Sequence, residues 1–274
     1  MSTPPTSLPP PPRGRLVGVG IGPGDPQLVT LQAVRTLESA DRVVAPTTAA
    51  DAPGRAETIV RQLLPALVVE RLAFDMTADH APGGGEARSA SHRAAAQAVA
   101  PAVAAGETVA FVTLGDPNIY STFPSLASEL RRLQPEVTVE TVPGITAFQA
   151  LAARSGTVLL DGTESLALVT ALDGVDHAAA ALADPDRAVV IYKGGKHLPR
   201  IKELLAEHGR LDDAVFGELL GLPGERTGPL AAAAHGPAAY LATVIVPPVD
   251  RSTGSTAPTA PGGRSVTSDQ LTGS

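Results

Sequence analysis

Between residues 15 and 246 the sequence switches repeatedly between two patterns, and that switching limits the fold more than any single motif. Short apolar runs at 15–20, 41–45, 67–72, 108–114, 137–142, 164–170, 188–192, 214–218 and 241–246 read as buried strands. Helical spacing fills 57–64, 86–104, 125–133, 146–154 and 197–208 between them. Strands that alternate with helices pair side by side and bury both sheet faces, so the pattern predicts α/β layers with a largely parallel sheet, at least in the first half. No internal repeat is visible.

The 274 residues leave room for one large domain or two of ordinary size. Hydrophobic residues make up 43% and support a core, but aromatics are only 3%, so alanine and valine must do most of the packing. A net charge of −7 argues against a dedicated nucleic-acid binder, while an anionic substrate remains compatible if local basic groups hold it. The chain has no cysteine, which excludes disulfides, thiolate metal sites and a cysteine nucleophile and fits a reducing cytoplasm. No apolar run is clean enough to span a bilayer; the alanine-rich stretch near 235 is interrupted by His235, Gly236 and Pro237. The start of the chain lacks the apolar centre of a signal peptide. Residues 1–13, rich in proline, and 249–274, poor in apolar side chains, are expected to be disordered tails. The segment 77–86, "TADHAPGGGE", is a flexible loop that serves either as a lid or as plain surface. The histidines (His80, His92, His177, His197, His208 and His235) show no metal-ligand spacing, so no metal is expected.

The stretch "LVGVGIGPGDPQLVT" (16–30) opens a segment, 18–38, with the layout of a strand, a tight loop and a helix. Asp25 can cap orphan amides and Pro26 suits a first helical turn. Glycines so spaced suggest a small ligand against bare backbone. A phosphate-gripping loop needs Gly-Lys-Ser/Thr where this chain has Gly-Asp-Pro, and a carboxylate repels phosphate. A dinucleotide fingerprint needs a third glycine where Pro23 or Asp25 stands, and the second strand "DRVVAP" ends without an acid for a ribose diol. A neutral or cationic ligand, such as S-adenosylmethionine with its sulfonium, tolerates Asp25; so does a turn that touches no ligand.

The stretch "VAFVTLGDPNIYSTF" (109–123) repeats the logic with Gly115-Asp116-Pro117 at a strand end, followed by Ser121 and Thr122 as N-caps. In "ETVPGITAFQALAARSG", Pro143-Gly144 ends a strand and Thr146 caps a helix whose first amides are offered to a ligand carboxylate or carbonyl. Ligands of open parallel sheets bind beyond the carboxyl ends of the strands, which places both Gly-Asp-Pro turns on one rim.

In this order and spacing, "VGIGPGD", "LGDPNIYSTF" and "VPGITAFQALAA", continued by "VVIYKGGKHLPRIKELL", "ELLGLPGER" and "YLATVIV", resemble the tetrapyrrole methylase family. These are the class III S-adenosylmethionine-dependent methyltransferases of cobalamin and siroheme synthesis, and the resemblance covers nearly all of 15–248. "LGDPNIYSTF", "AFDMTADH" and "KGGKHLPRI" are most similar to the branch that methylates precorrin-2, metal-free or cobalt-loaded, at C20 to give precorrin-3A. Methylation of another ring carbon and an inactive member that only binds cofactor or tetrapyrrole are the alternatives.

The resemblance implies two α/β domains, 14–123 and 124–248, with the cofactor in the cleft between them, and a homodimer. It implies S-adenosylmethionine as methyl donor and S-adenosylhomocysteine as its product. Residue by residue, it carries cofactor contacts to Pro23, Leu114, Gly115, Asp116, Ile119, Thr146, Ala147, Gly194 (through backbone alone) and Gly221. Siroheme-type relatives place an acid just after the second strand as proton acceptor; here Ala45-Pro46-Thr47 follows, so no catalytic residue is assigned. Tyr120 and Asp116 are the competing bases. The implied substrate is a polycarboxylate, for which Arg88, Arg93, Lys193, Lys196 and Arg200 are the basic candidates, each otherwise an ordinary solvated charge.

Overall fold

The computed structural model describes residues 14–48, 52–74, 84–233 and 236–249. The expected tails (apart from Val249, whose N–H donates to the Pro185 carbonyl at 2.9 Å), most of the segment 77–86, His80 and His235 lie outside the described residues.

The first sheet has the order β3-β2-β4-β1-β5, built from β1 (Arg15–Gly20), β2 (Arg42–Thr47), β3 (Val69–Ala73), β4 (Thr108–Thr113) and β5 (Thr138–Val142). Every pairing in it is parallel. Its central strands β1 and β4 read as unbroken apolar runs because helices cover both faces. On one face α1 (Leu31–Ser39) and α2 (Arg55–Leu63) set Leu37, Ile59 and Val60 against Val17, Val19 and Val43. On the other, α3 (Gly84–Ala104) and α4 (Phe123–Leu133) pack Val99, Leu126 and Leu130 against Leu16, Val109 and Phe111.

The second sheet has the order β6-β7-β10-β8-β9, with β6 (Ser165–Thr170), β7 (Arg187–Tyr192), β8 (Val215–Glu218), β9 (Arg226–Pro229) and β10 (Ala242–Val246). Only β6 and β7 run parallel; the other pairs are antiparallel. The helix α5 (Ala147–Ser155) covers one face through Leu151, while α6 (Asp176–Leu182) and α7 (Leu198–Glu207) cover the other. The α/β architecture in two sheets agrees with the expectation from sequence.

The expected division near Phe123 needs correcting. β5 pairs with β1 from Arg15↔Thr138 to Val19↔Val142, and Phe123 lies buried in the first core. The first sheet therefore closes at Val142, and the chain crosses to the second layer through Pro143-Gly144. The half-exposed strand "TVETV" carries too little apolar signal to declare which sheet it joins. Two elements were not anticipated: β9, whose sequence RTGP reads as a turn, and the short alanine-rich α6. Among the described residues no helix is long and apolar enough to cross a membrane.

One buried charge ties α2 to β3. The Glu57 side chain has no exposure; it accepts from Arg71 Nε at 2.7 Å and Nη2 at 3.0 Å, and from Arg61 Nε at 2.8 Å. The Arg71 hydrogen bonds hold its carboxyl below the ordinary 4.5, outweighing burial, which pushes the other way. A carboxyl lowered in the folded state contributes stability above its ordinary value and loses it as pH falls through the folded one. Glu57→Gln is expected to lose about 2 to 3 kcal/mol at neutral pH in urea unfolding. The gap to the wild type should narrow as the pH is taken below 4.5. A gap that stays constant into acid would show that the charge is not what stabilises.

Candidate functional site

Three loops meet beyond the carboxyl ends of β1, β4 and β5. In the first, Asp25 Oδ1 accepts from the Gln27 N–H at 2.9 Å and caps a single 3-10 turn, Pro26–Leu28; Thr30 Oγ1 then caps α1 by accepting from Ala33 N–H at 3.1 Å. The second loop joins the first by an isolated antiparallel bridge, Gly22 to Gly115, whose Gly115 N–H donates to the Gly22 carbonyl at 2.8 Å. Asp116 then ties the second loop to the third: Oδ1 accepts from Asn118 N–H at 2.8 Å and Oδ2 from Gly144 N–H at 3.0 Å. Thr146 caps α5, with Gln149 Oε1 accepting from its N–H at 2.9 Å and its hydroxyl at 2.8 Å. Thr122 holds the N-cap position of α4 without a side-chain bond, and Ser121 Oγ, one residue earlier, accepts from Phe123 N–H at 3.0 Å.

The glycines of the first stretch mostly face protein, not open space, which revises the idea that they lie bare for a ligand. A Cβ on Gly20 falls 2.6 Å from the carbonyl oxygen of Gly115, and one on Gly24 falls 2.1 Å from that of Leu220. Their absent side chains let loops touch. Gly115 differs: at φ +66 its bare side has, among the described residues, only Thr146 Cα within 4 Å, at 4.0 Å.

That bare side faces a cleft of about 780 Å³ between the two sheets. Pro23, Leu114, Gly115, Asp116, Ile119, Thr146 and Ala147 all line it. Gly194 and Gly221 do not, contrary to expectation. A Cβ on Gly194 meets Ile201 Cδ1 at 2.6 Å, so that glycine is packed into the second core. Gly221, at φ +71, lies against the first loop, where a Cβ falls 2.1 Å from Asp25 N. Its N–H donates to Glu225 Oε2 at 2.7 Å, Glu225 Oε1 accepts from Arg154 at 2.7 Å, and Arg154 reaches to 3.8 Å from Asp25 Oδ2. Gly221 thus fastens the two layers together.

The chain has three tyrosines, and all of them line this cleft. Tyr192, at the end of β7, accepts from Phe148 N–H at 3.0 Å. One of the α5 amides expected to be open to a ligand is therefore taken by protein. Burial raises the Tyr192 pKa against the opposing pull of its hydrogen bonds, so the phenol stays neutral. Among the described residues, Tyr120, Lys193 and Leu219 are the non-glycine residues at positive φ (48°, 57° and 52°). Tyr120 and Lys193 line the cleft, and Leu219 precedes Leu220, which does. Each such backbone costs about 1 to 3 kcal/mol, and strain of this kind gathers where a site must be held open or in place.

Of the basic candidates, Arg88 and Lys193 line the cleft, joined by Arg55, which the sequence did not single out. Arg93, Lys196 and Arg200 are not part of its wall. Arg200 is paired with Glu207 at 2.9 Å and Glu203 at 3.2 Å, which raise its pKa. His92 is buried beside Phe74, with ring centroids 5.6 Å apart. Among the described residues no cluster of histidine, aspartate or glutamate is arranged to hold a metal ion. Tyr192, Tyr240 and Arg55 were missed; the scarcity of aromatics was the one signal that could have marked the tyrosines.

The chain matches the family model of tetrapyrrole (corrin/porphyrin) methylases over residues 15–234. A relative from Sinorhizobium sp, named precorrin-2 C(20)-methyltransferase, is 37% identical over 238 residues, spanning 85% of this chain and 95% of the relative. A cobalt-precorrin-2 C(20)-methyltransferase of Salmonella typhimurium is 36% identical over 214 residues, 78% of this chain and 86% of the relative. Among solved structures, a cobalt precorrin-4 methyltransferase superposes with a TM-score of 0.64 at 20% identity, covering 85% of this chain and 94% of the other. A uroporphyrin-III C-methyl transferase from Thermus thermophilus, complexed with S-adenosylhomocysteine, gives 0.59 at 24% identity over 85% and 97%. The structural likenesses establish the fold.

Proposed function

We propose that this chain, which belongs to the tetrapyrrole (corrin/porphyrin) methylase family, transfers a methyl group from S-adenosylmethionine to C20 of precorrin-2 or cobalt-precorrin-2 in cobalamin biosynthesis. The observation that carries the reading is alignment over most of the chain with relatives named for that reaction.

The site suits the donor. Gly115 leaves room where a side chain would intrude, and Leu114, Ile119 and Ala147 give apolar cover around it. When bound, S-adenosylmethionine supplies an electrophilic methyl carbon on a sulfonium. Pro23, Leu114, Gly115, Asp116, Ile119, Thr146 and Ala147 are the residues that would hold it. Their part is to position and to exclude water, which suffices for an electron-rich macrocycle carbon.

Among the described residues, neither of the two competing candidates, Tyr120 and Asp116, is arranged as a base. The Tyr120 hydroxyl donates to Leu168 carbonyl at 3.0 Å, and burial pushes its pKa up. Both Asp116 oxygens are held by backbone amides, and the end of β2 presents Pro46 and Thr47. The macrocycle's proton leaves to solvent or to a substrate carboxylate. Asp116→Ala is accordingly expected to weaken S-adenosylhomocysteine binding about tenfold or more, with methyl transfer falling in parallel, since the second and third loops lose their tie. Lost transfer with unchanged binding would instead make Asp116 the base.

The deciding experiment incubates the protein with methyl-labelled S-adenosylmethionine and precorrin-2 and locates the label by NMR. Label at C20 is the expected result. Label at another carbon identifies a sibling activity, and tight S-adenosylhomocysteine binding without product identifies an inactive member. The same reading includes a homodimer in a reducing cytoplasm. The absence of cysteine supports the compartment, and exposed Val158 and Leu160 beside the sheet-edge strand β6 support the dimer, which sedimentation equilibrium tests.

A further inference from the structure

Lys193 reaches the cleft from a backbone conformation that favours glycine. Its φ is +57, although Gly194 and Gly195 follow directly in the sequence. From there Nζ donates to the Tyr120 carbonyl at 3.1 Å, across the two layers. The ammonium lies 5.9 Å from the Tyr120 ring centroid and 5.7 Å from that of Tyr240. Tyr120, itself strained at φ +48, is anchored through its hydroxyl to Leu168 and stands edge-on to Tyr192 with centroids 6.1 Å apart. Tyr120 and Tyr240 remain 45% and 37% exposed. In a chain without tryptophan, two partly exposed tyrosine rings flank this ammonium in the same cleft.

We propose that Tyr120, Lys193 and Tyr240 form the docking face for the substrate macrocycle, resting on the tetrapyrrole reading above. The ammonium takes a peripheral carboxylate, and the two rings give the flat ring system apolar area. A protein of net charge −7 repels a polyanion at long range, so the attraction must be local. An ammonium between aromatic faces is partly stripped of water, which strengthens its bond to a carboxylate over that of a solvated surface lysine. Rigid tyrosines add contact area at little entropic cost. Lys193 is then a positioning residue that sets which edge of the macrocycle meets the methyl donor.

The test uses uroporphyrin III, a stable polycarboxylate macrocycle, titrated by fluorescence against the whole protein, with S-adenosylhomocysteine affinity measured in parallel by calorimetry. Lys193→Met is expected to weaken uroporphyrin III about tenfold and flatten its salt dependence, with S-adenosylhomocysteine affinity unchanged. Lys193→Arg should recover most of the loss. Tyr240→Ala should weaken the porphyrin while leaving its salt dependence intact. The proposal is overturned if Lys193→Met binds uroporphyrin III like the wild type, if both ligands weaken together, or if the wild type does not bind the porphyrin. A wild type that shows the expected pattern yet fails to methylate precorrin-2 would sink the reaction assigned above and leave the docking face standing.

Discussion

Replacing Gly115 by valine is expected to weaken S-adenosylhomocysteine binding about 100-fold or more while the protein stays folded. At φ +66 a branched side chain carries a strain of about 1 to 3 kcal/mol, which the fold can absorb. The new side chain would project toward the cleft, where, among the described residues, the sole neighbour within 4 Å of its Cβ is Thr146 Cα at 4.0 Å. It would therefore fill space that the second and third loops leave open, not collide with the core. Gly162 provides the control, because it has φ +55 with no atom within 4 Å of its Cβ position and is not part of the cleft wall. Gly162→Val pays the same backbone strain without obstructing anything. Both variants should melt lower by about 2 to 4 °C for each kcal/mol of strain. Calorimetry should find the affinity of Gly115→Val reduced by about 100-fold or more, equivalent to about 2.7 kcal/mol, and that of Gly162→Val unchanged. Equal affinities in the two would mean that the methyl donor does not cross the second loop.

What the sequence disclosed follows from burial. β1 and β4 are covered on both faces, so their apolar runs are continuous, and β1 begins and ends where the pattern places it. β5 and β9 alternate or expose most of their residues; the first was read as a strand but given to the wrong layer, and the second was missed. The Gly-Asp-Pro turns were legible because Asp25 and Asp116 each bond the amide two residues on, a local event that local sequence encodes. Which side of a glycine faces ligand is not local. It depends on loops brought in from elsewhere, and so Gly194 and Gly221 were placed in the cleft when they line protein contacts. The same limit hid the tyrosine face: Lys193 Nζ and the Tyr120 carbonyl are 73 residues apart in sequence and belong to different layers.

The interlock between those layers carries the other large effect. An alanine at Gly24 would put Cβ 2.1 Å from the Leu220 carbonyl oxygen and 2.9 Å from Leu222 Cγ. The reciprocal change at Gly221 would put Cβ 2.1 Å from Asp25 N, at φ +71. In both cases the obstacle is backbone, which cannot rotate aside as a side chain does, and Leu219 beside it is already at φ +52. Gly18 is the useful contrast, since its Cβ would meet the Phe123 ring at 2.7 Å, a side chain with rotatable bonds and not backbone. Gly24→Ala and Gly221→Ala are each expected to lose about 3 kcal/mol or more in thermal or urea unfolding, against about 1 to 2 kcal/mol for Gly18→Ala. Because Pro23 and Leu220 both line the cleft, donor binding should fall with stability in the first two. The double variant gives the sharper reading. Once one alanine has pushed the loops apart, the second meets less resistance, so the pair should cost about 1 kcal/mol or more less than the sum of the singles. Strict additivity would show that the two loops do not bear on each other, and that the cleft is closed by some other contact.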